Sequence, residues 1–130
     1  MLSFLRYNTL SVSWSLIILL LCLTPTHHLP EFDIWAIFSL DKIAHFLLFS
    51  VLALFTIVGL KRQYYAYHLR YYAKTVALIY CAVYGFLTES LQLLISPTRS
   101  FDWLDLVADI IGALIGIGLF RFIYGKEFFN

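Results

Sequence analysis

Long apolar runs separated by short clusters of charge set the pattern of this chain. A bilayer core of about 30 Å is crossed by roughly 20 apolar residues in helical form. Four runs approach that length, at residues 9–23, 43–60, 75–95 and 104–124. None alternates polar and apolar positions, and all exceed the length of a barrel strand, so each is predicted to be a helix. Thr24-Pro25-Thr26 ends the first run, Lys61-Arg62 the second, Ser96-Pro97 the third and Gly125-Lys126 the fourth. The first run is short and follows Arg6, features it shares with a secretory signal. No small-x-small cleavage site follows Cys22, so it is read as a retained helix. The prediction is an all-α polytopic membrane protein: a bundle of four transmembrane helices, with residues 1–130 as one domain.

The connecting segments differ in charge. Residues 24–41 carry His27, His28, Pro30, Glu31 and Asp33, then an apolar patch, Ile34-Trp35-Ala36-Ile37-Phe38, that predicts a short interfacial helix. Residues 61–74 are basic and rich in tyrosine, with Lys61, Arg62, Arg70 and Lys74. Residues 96–103 read as a tight turn. Lys and Arg are retained on the cytoplasmic side of a membrane. The 61–74 loop, Arg6, Arg121 and Lys126 are therefore predicted inside, with both termini cytoplasmic. The acidic connections are predicted outside, and the protein is placed in the cytoplasmic membrane as a multi-pass chain.

Composition agrees: 62% of residues are hydrophobic, 18% aromatic and 13% charged, too apolar for an ordinary soluble domain. The net charge of +1 gives no nucleic-acid signal. Cys22 and Cys81 lie in apolar runs and read as small buried or lipid-facing groups. No CxxC, phosphate-binding glycine loop or HExxH pattern is present. No resident metal or cofactor is assigned.

Against this background the ionisable residues inside the helical runs stand out, because each is expensive at membrane depth unless paired or hydrated. Asp41, Lys42 and His45 open the second run, and Asp41 and His45 lie one helical turn apart. Glu89 and Gln92 share one face of the third run with Gly85 and Ser96. Asp102, Asp105, Asp109, Gly112 and Gly116 follow one stripe of the fourth. The glycines match the GxxxG pattern of close helix packing. Asp102 reads as a helix N-cap. Arg99 is placed to clamp Glu89 or Asp105, or to contact a ligand. Glu89 is expected to be protonated, or paired with Arg99 or Lys42. Three helices carry polar groups at one depth and one end, which predicts a shared pocket at the outer face.

In these segments the chain resembles the VanZ-like family of small bacterial membrane proteins. The residues that carry the resemblance are Asp41-Lys42-Ile-Ala-His45-Phe46, Tyr84-Gly85 through Glu89 and Gln92, and Arg99 through Asp102, Asp105, Asp109, Gly112 and Gly116. It covers about residues 41–120 and departs at Asp109, where the family pattern has Asn. The founding member is linked to glycopeptide resistance, teicoplanin in particular, so the resemblance implies association with the cell envelope.

Three functions follow as alternatives. The first is binding of an amphipathic envelope molecule at the outer leaflet, a lipid-linked cell-wall precursor or a lipoglycopeptide, with membrane lipids as the surrounding partners. The second is an accessory or scaffold subunit, in which the glycine stripe of the fourth helix serves a partner helix or a second copy in a homo-oligomer. The third is an intramembrane hydrolase using His45 with Asp41 or Glu89 as acid and base, or His45 with Glu89, Asp105 and Asp109 around a metal. No residue is assigned as catalytic, and the binding protein is preferred over the enzyme.

Overall fold

The computed structural model describes residues 2–24, 34–96 and 100–125, with side chains at all of these except 2 and 34–39. Five helices make up the fold: α1 (Leu2–Leu23), α2 (Ile34–Arg62), α3 (Tyr67–Tyr71), α4 (Ala73–Ile95) and α5 (Trp103–Tyr124). Four of them are long and apolar enough to cross a membrane, over Ser3–Leu23, Leu40–Arg62, Ala73–Ile95 and Trp103–Tyr124. The all-α, four-span prediction is met.

The helix boundaries extend past the apolar runs, because backbone hydrogen bonding does not stop where hydropathy falls. The patch at 34–38 is the start of α2 and not a separate interfacial helix. No Pro or Gly interrupts residues 34–45, so nothing breaks the helix there. Asp41 consequently sits within α2 and not at an N-cap. At 1.5 Å per residue the 29 residues of α2 span about 43 Å, longer than a bilayer core. The expected 61–74 loop contains α3. Its entry is held by Gln63, whose side chain is fully buried, donates to the Ala66 carbonyl and accepts from the Ala66 N–H, both at 2.8 Å. At the far end of α5, Gly125 takes a positive φ of 66°, a conformation that costs glycine little, and the helix stops there.

Helices in lipid gain little from hydrophobic burial and associate through small residues and hydrogen bonds. The most extensive contact in the fold joins α2 and α5. A methyl group on Gly112 would run into the Phe46 carbonyl, and one on Gly116 into the Ser50 carbonyl. The GxxxG stripe is thus used within the chain, by α2. On this face the close approach is made by α2 of the same chain.

A second set of contacts fastens α1. Trp14 Nε1 donates to the Leu48 carbonyl at 2.9 Å, Ser11 and Thr56 share a hydrogen bond of 2.7 Å, and Ser15 pairs with the Tyr80 hydroxyl at 2.7 Å. Such bonds contribute about 0.6–2 kcal/mol each in a membrane. One apolar cluster, with Ile18, Phe49, Leu52, Ala53, Cys81 and Ala113 fully buried, lies along the bundle between these helices. A second, around Ile57, Leu60, Ala77 and Phe120, fills the end nearer α3.

Candidate polar site at one end of the bundle

The helix directions decide where the ionisable residues meet. His45 is near the start of the membrane part of α2, Glu89 near the end of α4, and Asp105 near the start of α5. Antiparallel packing brings these ends together. All five described acids, Asp41, Glu89, Asp102, Asp105 and Asp109, collect there with Lys42 and His45. The other described Lys and Arg residues belong to the opposite end.

His45 is the centre. Its ring is 3% exposed and its Nδ1 lies 2.9 Å from Asp109 Oδ1, a hydrogen bond between α2 and α5. With Asp109 ionised, the carboxylate only accepts, so Nδ1–H is the donor. The other ring nitrogen, Nε2, faces Glu89 Oε1 at 3.9 Å and Asp41 Oδ1 at 4.0 Å. These are electrostatic distances, too long for hydrogen bonds. The partner that fixes the imidazole is therefore Asp109, not the helix neighbour Asp41. The ring also stacks on Phe49, one turn along α2, with centroids 6.3 Å apart.

Asp109 has no exposed surface. Gly85 on α4 makes its place: a methyl group there would collide with the Asp109 carboxylate. Glycine at 85 is what lets α4 close over this side chain. Asp109 Oδ2 and Glu89 Oε1 accept no hydrogen bond among the described residues. Buried polar atoms in that condition are rare and costly.

Lys42 holds the outer layer. Its Nζ donates to Asp102 Oδ2 at 2.7 Å and Asp105 Oδ1 at 2.8 Å. Asp102 also caps α5 by accepting from the Leu104 N–H at 2.8 Å, as its sequence position predicts. Partial burial raises the Asp102 carboxyl, but the Lys42 ammonium and the Leu104 and Asp105 N–H groups outweigh it and leave it below the usual carboxylate range. Glu89 accepts from the Asp102 N–H through Oε2 at 3.3 Å. The expected Lys42–Glu89 pair does not form, because the two aspartates at the start of α5 occupy the ammonium.

Of the sequence-predicted residues, Asp41, Lys42, His45, Glu89, Asp105 and Asp109 come together. Gln92 does not join them. It donates to the Cys22 carbonyl at 2.8 Å and ties α4 to the end of α1. Arg99, His27 and His28 lie outside the described residues. Asp102 enters the site through its bond to Lys42, which its reading as a cap alone did not foresee. Gly85 is the other addition; its signal was a glycine one turn before Glu89 on the same face.

The result is graded in depth. Asp41, Lys42 and Asp102 are partly exposed at the rim, while His45, Glu89, Asp105 and Asp109 form a buried floor. The arrangement can move or hold a proton at His45, donate and accept hydrogen bonds at the rim, and surround a cation with carboxylate oxygens. In comparisons with known proteins, the family model described as VanZ/LLP1 matches residues 2–124. No curated protein and no solved structure matches the chain.

Proposed function

This chain belongs to the VanZ/LLP1 family, and on that footing we propose that it binds the polar head of an amphipathic envelope molecule at the outer leaflet of the cytoplasmic membrane. A lipid-linked cell-wall precursor or a lipoglycopeptide is the ligand class. The observation that carries the reading is the graded site. A partly exposed polar rim gives onto a buried polar floor at one end of four apolar helices. Lipid-facing side chains suit a tail and the rim suits a head.

The chemistry of the rim narrows the head. Lys42 is engaged by two aspartates, and carboxylates outnumber cations. Sugar hydroxyls, amides and ammonium groups, which donate, complement Asp41 and Asp102. A bare phosphate does not. Lipid-linked precursors and lipoglycopeptides both carry such donors. The outward orientation is supported by charge: every described Lys and Arg except Lys42 belongs to the end opposite the site, and positive loops stay inside.

The test is binding by the full chain purified in detergent. A polyprenyl-diphosphate disaccharide-pentapeptide and teicoplanin are the probes, read by native mass spectrometry and tryptophan fluorescence. Saturable binding of either is expected, weakened about tenfold by Asp41→Ala or Asp102→Ala, equivalent to ~1.4 kcal/mol. The thermal midpoint should fall in Asp102→Ala, which also loses the cap of α5, so Asp41→Ala is the cleaner reading of the head contact. Absence of binding by both probes, or affinity untouched by these substitutions and by His45→Ala, would overturn the reading.

A further inference from the structure

The face of His45 turned away from Asp109 is surrounded by oxygen. One carboxylate oxygen each from Asp41 and Asp105 and a ring nitrogen of His45 lie within 4.8 Å of one another. Glu89 Oε1, on a side chain that is 2% exposed, points at the same nitrogen from 3.9 Å and accepts no hydrogen bond among the described residues. We propose that His45 Nε2, Asp41, Asp105 and Glu89 form a binding site for a divalent transition-metal ion, Mn2+ or Zn2+.

Three features support the assignment. The first is the set of donors: one imidazole nitrogen with several carboxylate oxygens suits Mn2+ and Zn2+, whereas Ca2+ and Mg2+ take all-oxygen shells. The second is the support behind the ligand. Metal-bound histidines donate their other ring N–H to a carboxylate, which orients the ring and raises its basicity. The Nδ1 bond to buried Asp109 supplies that arrangement, and Gly85 leaves the room that Asp109 occupies. The third is charge. Glu89, Asp105 and Asp109 are buried together, and carboxylates so close in a low-dielectric setting need a proton or a cation among them.

The spacing is that of an open shell. Bonds of about 2.0–2.2 Å hold ligand atoms about 3.4 Å apart in a tetrahedron, so Asp41, His45 and Asp105, already within 4.8 Å of one another, close on an ion by side-chain movements of about 1 Å, and Glu89 approaches from the His45 side. Lys42 does not block it. The ammonium holds Asp105 through Oδ1 and keeps Asp102 as a second partner when Asp105 turns toward an ion.

The proposal is independent of the envelope-lipid reading, since the ion is measured with no lipid ligand present. Untagged full-length protein in detergent, stripped with chelator, would be titrated with MnCl2 and ZnCl2 by calorimetry. Electron spin-echo modulation of the Mn2+ form would detect a directly bound imidazole nitrogen. One ion per chain and a nitrogen modulation are expected. His45→Gln should abolish the modulation, and Asp109→Asn should weaken binding about 10–100-fold. Asp41→Asn, at a partly exposed position, should weaken it about tenfold. Failure of both metals to saturate, Mn2+ binding with no nitrogen modulation, or affinity unchanged in Asp41→Asn would each overturn the assignment.

Discussion

At one end of the bundle, five carboxyl groups surround Lys42 and His45, and four of them accept hydrogen bonds from these side chains or from backbone N–H groups. At the other end Arg6, Lys61, Arg62, Arg70, Lys74 and Arg121 stand among exposed tyrosines. There Arg70 lies over the Tyr64 ring at 4.8 Å, and Tyr71 and Tyr72 meet edge to face. Such rings and cations suit headgroup depth, where water and phosphate are at hand. The acidic end has no such relief for its floor, so each buried group depends on a particular neighbour. Charge at the tyrosine-rich end is interchangeable, and charge at the acidic end is specific.

The contrast yields a ranked set of outcomes. Asp109→Ala strips buried His45 of its partner and should cost about 3–5 kcal/mol, seen as a large fall in the thermal midpoint in detergent. Asp109→Asn, which keeps an acceptor, should recover most of that loss. Next comes Gly112→Ala, where the new methyl meets the Phe46 carbonyl. It should cost about 1–3 kcal/mol, while Gly118→Ala, with nothing within 4 Å of the added carbon, should stay within about 0.5 kcal/mol. Lys42→Met leaves Asp102 and Asp105 facing each other and should cost about 1–2 kcal/mol, limited by the partial exposure of the pair.

A smaller effect is set by pH. Asp102 titrates below its ordinary value in the folded chain. Its contribution is therefore complete above the unfolded carboxyl pKa of about 3.9 and is lost as pH falls through the lower folded value. Melting curves at pH 5 and pH 3 should differ less in Asp102→Asn than in the parent. The smallest stability changes belong to Lys61→Ala and Arg70→Ala, within about 0.5 kcal/mol. Replacing Lys61, Arg62, Arg70 and Lys74 together should instead scramble orientation. A cysteine at the exposed position Ser100 would then react from both sides of the membrane; in the parent it should react only from outside.

Much of this was legible in the order of residues. Span number follows from hydropathy, and a carboxylate such as Asp109 inside an apolar run announces a buried partner. The pairing was not legible. Asp41 and His45 are neighbours by helix geometry, yet His45 turns to Asp109, which is 64 positions away. Lys42 likewise chooses Asp102 and Asp105 over Glu89, because the start of α5 lies beside the start of the membrane part of α2. Gln92 sits on the right face of α4 but reaches the Cys22 carbonyl, a backbone group that side-chain patterns do not mark. The extent of α2 was missed for a similar reason: hydropathy locates what lipid covers, while the helix continues until its hydrogen bonding stops.

The glycine seam of α2 and α5 has a mechanical consequence. With backbones touching at Phe46 and Ser50, those two helices behave as a single stiff post, and both inter-helix anchors of the site, Lys42 to Asp105 and His45 to Asp109, are mounted on it. Glu89 rides on α4, outside the post, and among the described residues it is tied to it by one long bond from the Asp102 amide. A guest that needs more room at the site is therefore expected to strain the Glu89–Asp102 bond before it strains the seam of α2 and α5.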